Sequence, residues 1–168
     1  MKVIIARDYS EQCSAAADII EGIVRAKPDC CLGLATGSSP VGMYKELARR
    51  CAEEGLDFSR VHSVNLDEYI GLAPEHDQSY RYFMNTNLFD HVNIDKNRTY
   101  VPNGLEEDSD KACADYNEII RSVGGIDIQL LGIGGNGHIG FNEPGEAFEK
   151  ETHCVDLTEH HQGKCKIL

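Results

Sequence analysis

Residues 30–40 read CCLGLATGSSP, an apolar run that ends in a turn of glycine and serine followed by proline. A continuous apolar run of this length is typical of a strand buried on both faces of a parallel sheet. Pro40 stands where the first residue of a helix is favoured. The apolar residues that recur at helical spacing beyond it are Met43, Tyr44, Leu47 and Cys51. The stretch therefore predicts a strand that leads through a tight turn into a helix.

The rest of the chain repeats this alternation of strand and helix. Strands are predicted at residues 3–6, at 61–66 (VHSVNL), at 98–101 (RTYV) and in the very apolar run IDIQLLGI at 126–133. Helices are predicted from a cap at Ser10 to about Lys27, near 78–89 and over about 109–122. The apolar face predicted for the first helix consists of Ala16, Ile19, Ile20, Ile23 and Val24.

Strands that alternate with helices predict βαβ units, hence an α/β fold with a parallel sheet covered by helices on both faces. Ligands of such folds bind at the carboxyl ends of the strands. Three polar or glycine-rich segments follow predicted strands: TGSS at 36–39, NLDEY at 65–69 and GGNGHIGFNEP at 134–144. We therefore expect one domain over residues 1–168, with a site formed by these three segments.

Composition narrows the classes of function. The chain has 168 residues, of which 41% are hydrophobic, and a formal net charge of −12. So acidic a chain lacks the basic footprint of a nucleic-acid-binding protein and is a poor ligand for anionic membranes. The seven cysteines show no CxxC spacing, and no signal peptide is recognisable. We therefore predict a cytoplasmic protein in a reducing compartment.

The turn TGSS has two interpretations. Gly37 allows the backbone to approach a ligand, Ser38 and Ser39 offer hydroxyls, and the N–H groups at the helix start can hold a phosphate. The alternative is an ordinary helix cap followed by proline, with no ligand. No lysine of a nucleotide-binding P-loop follows. The residues alone leave both interpretations open.

The segment NLDEY places two carboxylates just past a strand. Because neighbours on an extended segment point in opposite directions, one of Asp67 and Glu68 is expected to enter a cleft while the other stays solvated. The alternative is that both are surface charges at a strand end.

The glycine-rich stretch at 132–145 resembles a dinucleotide-binding turn, with Gly132, Gly134 and Gly137 spaced as GxGxxG and Asp156 at the distance of a ribose-binding acid. That fingerprint needs a helix to begin at the turn, and Pro144 falls where this helix would run. The pattern therefore argues against a dinucleotide.

The same stretch carries side chains suited to proton transfer. His138 and Glu143 lack the spacing of a zinc motif, so we expect no metal. What remains is a loop that presents Asn136, His138 and Glu143 together for acid–base chemistry, or a histidine bonded only to its own loop.

Four segments, LGLATGSSP, VNLDEYIGL, SYRYFMN and LLGIGGNGHIGFNEPG, occur in this order. Together they resemble the glucosamine-6-phosphate deaminase family, the glucosamine/galactosamine-6-phosphate isomerases, up to about Thr158. The related 6-phosphogluconolactonases share the fold but lack the FNEP run. The resemblance implies a Rossmann-like three-layer sandwich with a mostly parallel sheet, incomplete at the C-terminus.

The resemblance also implies a reaction: glucosamine 6-phosphate and water give fructose 6-phosphate and ammonia, without a cofactor. Asp67 matches the proton acceptor that moves a proton from C2 to C1, and His138 matches the acid–base residue that opens the ring. Asn136 and Glu143 match the residues that position this histidine, and position 136 is Asp in some members and Asn in others. Thr36, Gly37, Ser38 and Ser39 match the loop that cradles the phosphate.

The chain departs from the family at its end. Family members continue with an Ala-Asn-Ala-Arg-Phe-Phe run, whose Arg binds phosphate, and with a later phosphate-binding Lys, whereas this sequence ends in HHQGKCKIL. The tail HHQGKCKIL can be encoded by a DNA sequence that, when it is read one base later, encodes Ile-Ile-Lys-Ala-Asn-Ala-Arg-Phe. That peptide is close to the family's Ala-Asn-Ala-Arg-Phe-Phe run. We therefore expect residues 160–168 to be a non-native tail produced by a one-base shift.

Three functional hypotheses follow. The first is a deaminase, the second a catalytically impaired fragment that only binds sugar phosphate, and the third a related 6-phosphogluconolactonase. All predict a small sugar phosphate as the partner, rather than nucleic acid or membrane. Association into a homo-oligomer is left open by the sequence.

Overall fold

The computed structural model describes residues 2–142, 145 and 150–156, together with the backbone of residues 164–167. In these residues the helices are α1 (Tyr9–Ala26), α2 (Val41–Glu54), α3 (Tyr80–Asn87) and α4 (Ser109–Ser122). The strands are β1 (Cys31–Leu34), β2 (His62–Asn65), β3 (Asp67–Tyr69), β4 (Thr99–Tyr100), β5 (Ile128–Gln129), β6 (His153–Asp156) and β7 (Lys164–Ile167). Short 3₁₀ turns lie at Phe89–His91 and Lys96–Arg98.

The central sheet is parallel, as the alternation of elements predicts. Its strands lie in the order β4-β2-β1-β5, with Cys31 opposite His62 and Leu34 opposite Asn65 in the central pair. A second sheet has the order β3-β7-β6 and is antiparallel. Because β3 follows β2 after a single residue, the second sheet begins at the carboxyl edge of the first.

Helices cover both faces of the central sheet, as expected for a three-layer α/β fold. Successive strand residues point to opposite faces. Leu32 and Leu34 pack into the larger core with α1, α2 and α3. Cys31 and Val64 pack on the other face against Tyr116 of α4. No helix in the described part of the chain is long and apolar enough to cross a membrane.

The first helix begins earlier than its sequence pattern predicts. Its cap is Asp8, whose carboxylate accepts a hydrogen bond from Glu11 N at 2.9 Å, and not Ser10. The predicted apolar face is also partly wrong, because the side chain of Ile19 is 45% exposed. The residues of α1 that are buried are Cys13, Ala17, Ile20 and Val24.

Of the predicted strands, one does not form and another is much shorter than predicted. Residues 3–6 form no strand, and Val3, Ile4 and Ile5 are exposed. The run at 126–133 pairs with β1 only over Ile128 and Gln129. At residues 3–6 and beyond Leu130 the apolar sequence pairs with no strand among the described residues, and a strand needs such a partner to satisfy its N–H and C=O groups.

The six cysteines in the described residues are thiols: Cys13, Cys30, Cys31, Cys51, Cys113 and Cys154. Cys30 and Cys31 of the segment CCLGLA are wholly buried and act there as small hydrophobic residues. Burial raises the pKa of both thiols to about 11. Cys154, on β6, is exposed.

A buried arginine joins the first two helices. Arg50 of α2 is 6% exposed. Its guanidinium lies 2.7 Å from the carboxylate of Asp18, 2.6 Å from that of Glu21 and 2.8 Å from that of Glu46. An arginine that is out of water needs such partners on its donors, so this cluster fixes how α1 and α2 pack.

Replacing Arg50 by alanine should therefore destabilise the fold, because three carboxylates lose their shared cation. We expect a loss of about 1–3 kcal/mol in the free energy of unfolding, measured by urea denaturation. The neighbouring Arg49 pairs only at the surface, with a side chain that is 41% exposed, and serves as the matched control. Equal losses for Arg50→Ala and Arg49→Ala would contradict this account.

Candidate active site

Segments that follow three central strands meet around one cavity of about 310 Å³. We call them the TGSS loop (residues 36–39), the LDEY segment (residues 66–69) and the glycine loop (residues 132–142). The side chains and glycines that line the cavity include Thr36, Gly37, Ser39, Leu66, Asp67, Tyr80, Gly134, His138 and Phe141. The expectation that these segments come together at the carboxyl ends of parallel strands is confirmed.

Two tyrosine hydroxyls brace the strand end that carries the TGSS loop. Tyr44 Oη donates to Ala35 O at 2.5 Å, and Tyr9 Oη donates to Ser39 O at 3.0 Å. Tyr9 Oη also accepts from Gly42 N at 2.9 Å. A Cβ at position 42 would lie 2.9 Å from this hydroxyl, so only glycine allows the contact. Sequence reasoning missed Tyr9, because this residue lies 30 positions away from its partner Ser39.

The TGSS loop presents backbone donors to solvent. Within the described residues, the N–H groups of residues 37–39 donate to no acceptor of the protein. Gly37 has φ +92°, a left-handed conformation that L side chains rarely adopt. Thr36, Gly37 and Ser39 line the cavity, whereas Ser38 is exposed outside it. The loop can therefore receive an anion through its backbone, and Ser38 is the residue of the TGSS loop that does not line the cavity.

Asp67 is the buried acid of the cavity. The residue is 6% exposed, and in the described part of the chain its carboxylate accepts no hydrogen bond. Burial, with a smaller contribution from the negative charge of Glu68, raises the pKa of Asp67 to about 7. A carboxyl group that exchanges its proton near neutrality is suited to take up a proton and return it.

Glu68 does not stay in solvent, so the expectation of one solvated carboxylate is wrong. Glu68 is 3% exposed. Its Oε1 accepts from Tyr69 N at 2.8 Å and Tyr80 N at 2.9 Å, and its Oε2 accepts from Arg81 N at 3.0 Å. The N-terminus of α3 thus replaces the water that this carboxylate would otherwise need. Burial raises the pKa of Glu68 while these backbone donors oppose the rise.

Three aromatic rings join the walls of the cavity. The rings of Tyr69 and Tyr80 lie 4.9 Å apart, and Phe141 of the glycine loop stacks on Tyr80 at 6.2 Å with planes 12° apart. The hydroxyl of Tyr80 also donates to that of Tyr69 at 3.2 Å. The rings connect the LDEY segment, α3 and the glycine loop, and such packing stabilises their mutual position.

His138 is oriented by Asn136 and by the absence of a side chain at position 134. Asn136 Oδ1 accepts from the backbone N of His138 at 3.1 Å, which fixes the direction of the amide oxygen. The same oxygen lies 2.7 Å from His138 Nδ1, so Nδ1 carries a proton. A Cβ on Gly134 would lie 2.1 Å from His138 Cε1, so the imidazole needs glycine beneath it.

The end of the glycine loop is tied to the second sheet. Asn142 Oδ1 lies 3.0 Å from Nε2 of His153 on β6, and Nδ1 of that histidine lies 2.7 Å from Glu151 O. His153 was missed by the sequence analysis because nothing local marks a partner 11 residues away. Glu143, the predicted orienting acid, lies outside the described residues.

The glycine loop contains turns and an Ile139–Asn142 bridge, and no helix begins within it. This backbone agrees with the argument against a dinucleotide, and the side chain of Asp156 lies outside the described residues. The part of the chain that the structure describes has no cluster of three or more His, Cys, Asp or Glu side chains placed to hold a metal.

Related sequences carry these features. The family model of glucosamine-6-phosphate isomerases/6-phosphogluconolactonase matches residues 8–165. A glucosamine-6-phosphate deaminase of Clostridium perfringens (strain 13 / Type A) is 58% identical over 159 residues, which make up 95% of this chain and 66% of that protein. One of Thermoanaerobacter sp. (strain X514) is 54% identical over 95% of this chain and 63% of that protein. The chain thus spans slightly less than two thirds of these curated relatives.

Solved structures show the same fold. A monomeric glucosamine-6-phosphate deaminase is 40% identical, with a TM-score of 0.94 over 100% of this chain and 76% of that chain. A 6-phosphogluconolactonase of Thermotoga maritima is 23% identical, with a TM-score of 0.78 over 99% of this chain and 75% of that chain. The second likeness shows the fold alone.

Burial of Asp67 predicts a stability that depends on pH. Below about pH 4 the carboxyl is protonated in both folded and unfolded chains. Between that pH and the folded pKa of about 7, the unfolded chain ionises first, so rising pH removes stability. We expect Asp67→Asn, which cannot ionise, to be more stable than wild type by about 2–4 kcal/mol at pH 8 and by much less near pH 4.5.

Urea unfolding at the two pH values measures this difference. Asp110→Asn, which removes an exposed charge from the first turn of α4, is the control and should show no such gain at pH 8. A difference between wild type and Asp67→Asn that is the same at both pH values would contradict the buried, proton-binding carboxyl.

Proposed function

The chain belongs to the family of glucosamine-6-phosphate isomerases and 6-phosphogluconolactonases, and on that premise we propose that its cavity converts glucosamine 6-phosphate and water into fructose 6-phosphate and ammonia. The observation that carries the proposal is that Asp67, His138 and the TGSS loop line the same cavity. Relatives that are 54% and 58% identical are named glucosamine-6-phosphate deaminase, which supports the amino sugar as substrate over a lactone.

Asp67 is the proposed carrier of the proton between carbons. Once the sugar ring is open, C2 lies next to a carbonyl carbon and its proton becomes acidic. Asp67 takes this proton and delivers it to C1 while the C1 oxygen also gains a proton, so that C1 becomes a CH2OH group and C2 an iminium carbon. Water then hydrolyses the C=N bond at C2, which gives the ketone and releases ammonia. A pKa of about 7 supports both steps, because the group is neither a very weak base nor a very weak acid at neutral pH.

His138 is the proposed acid–base group for ring opening. Its Nδ1 proton is held by Asn136 Oδ1 at 2.7 Å, so Nε2 is the nitrogen that exchanges a proton with the ring oxygen or the C1 hydroxyl. Two separate acid–base groups are needed, because the sugar ring must open before the proton on C2 becomes acidic. Glu143 is proposed, from the resemblance, as a second orienting group.

The TGSS loop is the proposed phosphate site. Its backbone N–H groups at residues 37–39 and the start of α2 supply donors and the positive end of a helix dipole. A negatively charged group can therefore bind here although the whole chain carries a net charge of −12. Thr36 and Ser39 add hydroxyls from the cavity wall.

Some predictions remain proposals. The reduced state of the six described cysteines supports a cytoplasmic setting. Self-association is untested, and one solved relative is described as monomeric. The origin of residues 160–168 is also untested, and it is decided by reading the codons in genomic DNA. This chain covers 66% of the length of its relative from Clostridium perfringens. The deaminase activity of the full-length relative is therefore a proposal for this chain.

Ammonia release from glucosamine 6-phosphate tests the function directly. The purified chain is compared with Asp67→Asn and with Asp110→Asn as a control for loss of a surface charge. We expect Asp67→Asn to lose about 10²–10⁴-fold in kcat, because a placed general base contributes that much, and the control to keep its activity.

Three other outcomes are informative. Substrate binding without turnover by a folded chain would support the impaired fragment. Faster hydrolysis of 6-phosphogluconolactone than release of ammonia would support the lactonase. A folded chain that neither releases ammonia nor binds the amino-sugar phosphate would overturn the proposal.

The role of Asn136 predicts a graded pair of variants. Asn136→Ala removes the acceptor of the His138 Nδ1 proton, so we expect kcat to fall by about tenfold to a hundredfold, less than for loss of the acid–base group itself. Asn136→Asp keeps an acceptor oxygen and should keep most of the activity while it favours the charged imidazole. Steady-state ammonia release measures both, and equal losses would contradict an orienting hydrogen bond.

A further inference from the structure

We propose that Glu68 is a positioning residue for Asp67: three backbone hydrogen bonds hold its carboxylate, and with it a negative charge, next to Asp67 in the chain, and the same bonds hold the cavity wall around the Asp67 carboxyl. The proposal rests on the proposed function for its kinetic consequence. Its electrostatic part stands on the burial of two carboxyl groups that are neighbours in the chain and on the hydrogen bonds that fix Glu68, and it holds whichever substrate the cavity takes.

The position of Glu68 is fixed from three directions. Its carboxylate accepts from the N–H of Tyr69 on its own strand and from those of Tyr80 and Arg81 at the start of α3. A protonated carboxyl would place a hydrogen on one oxygen and lose part of this set, so the charged form is the one that fits. A residue that accepts three donors at 2.8–3.0 Å has little freedom to move away from Asp67.

Asp67 and Glu68 differ in how many hydrogen-bond donors they receive, and this difference determines which of the two carboxyl groups binds the proton. Glu68 has three N–H donors, whereas the described residues donate no hydrogen bond to the Asp67 carboxylate. Two neighbouring carboxylates in a poorly hydrated site are not both ionised readily. The negative charge therefore stays on Glu68, and the proton goes to Asp67, which lines the cavity.

Among the described side chains, other ionisable groups also face the pair. The guanidinium of Arg81 on α3 donates to Thr99 Oγ1 at 2.7 Å and Thr99 O at 2.8 Å. Burial raises the pKa of Tyr116 of α4, so that hydroxyl is neutral near pH 7. His138 lines the same cavity from the glycine loop. On β7, Lys166 occupies the register position opposite Glu68.

Glu68 also connects the acid to the aromatic wall. The hydrogen bond from Tyr80 N to Glu68 Oε1 at 2.9 Å places the Tyr80 ring at the cavity, where Phe141 of the glycine loop stacks on it. Loss of the Tyr80–Glu68 hydrogen bond alone would let the Tyr80 ring move and would weaken contacts with a bound substrate. Loss of the charge on Glu68 would change the proton affinity of Asp67. Variants that remove the charge but keep an acceptor oxygen, or that keep the charge but change the geometry, separate the two effects.

The test is a titration of Asp67 in three forms of the full chain, by carbon NMR of ¹³C-labelled aspartate carboxyl groups, assigned with Asp67→Asn. In wild type the transition is expected near the folded value of about 7. Glu68→Gln keeps an acceptor oxygen and removes the charge, so the transition moves to lower pH. It stays above the ordinary aspartate value because burial, the larger cause, remains. Glu68→Asp keeps the charge and should keep most of the elevation.

Kinetics give a second readout that a merely structural role would not move. Asp67 must be ionised to accept a proton, so the acid limb of kcat follows its pKa. Glu68→Gln should retain a larger fraction of its own maximal kcat at about pH 5.5 than wild type does, with KM changed by less than about threefold. The control Asp115→Asn removes an exposed charge from α4 and should leave both profiles unchanged.

Two results of the NMR titration would contradict the proposal. A transition of Asp67 that stays in place in Glu68→Gln overturns the electrostatic role, provided that the variant unfolds in urea as a cooperative unit. If Glu68→Asp and Glu68→Gln move the transition equally, hydrogen-bond geometry and not charge is responsible, and the proposal also fails. Should wild type release no ammonia, the proposed function fails, yet the NMR titration still decides the role of Glu68.

Discussion

Two neighbouring carboxyl groups that are both buried must be stabilised in different ways, one by hydrogen bonds and the other by binding a proton. This requirement determines how the site is built. Glu68 receives three backbone N–H groups from β3 and α3, while Asp67 retains its proton up to near neutral pH. The same three bonds position α3, whose Tyr80 ring forms part of the cavity wall. The buried acid that lines the cavity and the wall that surrounds it thus both depend on a single pair of carboxyl groups.

The remaining parts of the site are held in place from far along the chain. The parallel sheet brings the TGSS loop, the LDEY segment and the glycine loop to one edge, and each is then fixed by a distant residue. Tyr9 of α1 holds the TGSS loop, Tyr116 of α4 donates to Asn65 O at 2.9 Å next to the LDEY segment, and His153 holds Asn142. The segments that line the cavity are therefore attached to helices and strands, which preserves their geometry.

How far the sequence predicts this structure depends on whether the signal is local. The strand–turn–helix unit at 30–54 and helix α4 were predicted well, because their apolar periodicity and capping residues lie within the elements themselves. Residues 3–6 were wrongly predicted as a strand, since a strand also needs a partner backbone. The convergence of the three segments followed from a rule of parallel sheets, whereas Tyr9 and the burial of Glu68 depend on contacts between residues far apart in sequence.

The cysteines have a practical consequence for chemical labelling. Maleimide and iodoacetamide react with thiolates, and thiols with a pKa of about 11 that lie in the core, such as Cys30 and Cys31, present almost none at neutral pH. Among the described cysteines, Cys154 is the exposed one, and it follows directly after His153, the residue that anchors the glycine loop. A fluorophore attached to Cys154 would report the arrival of a ligand from a position beside the anchor of the glycine loop, on a protein whose core thiols remain unmodified.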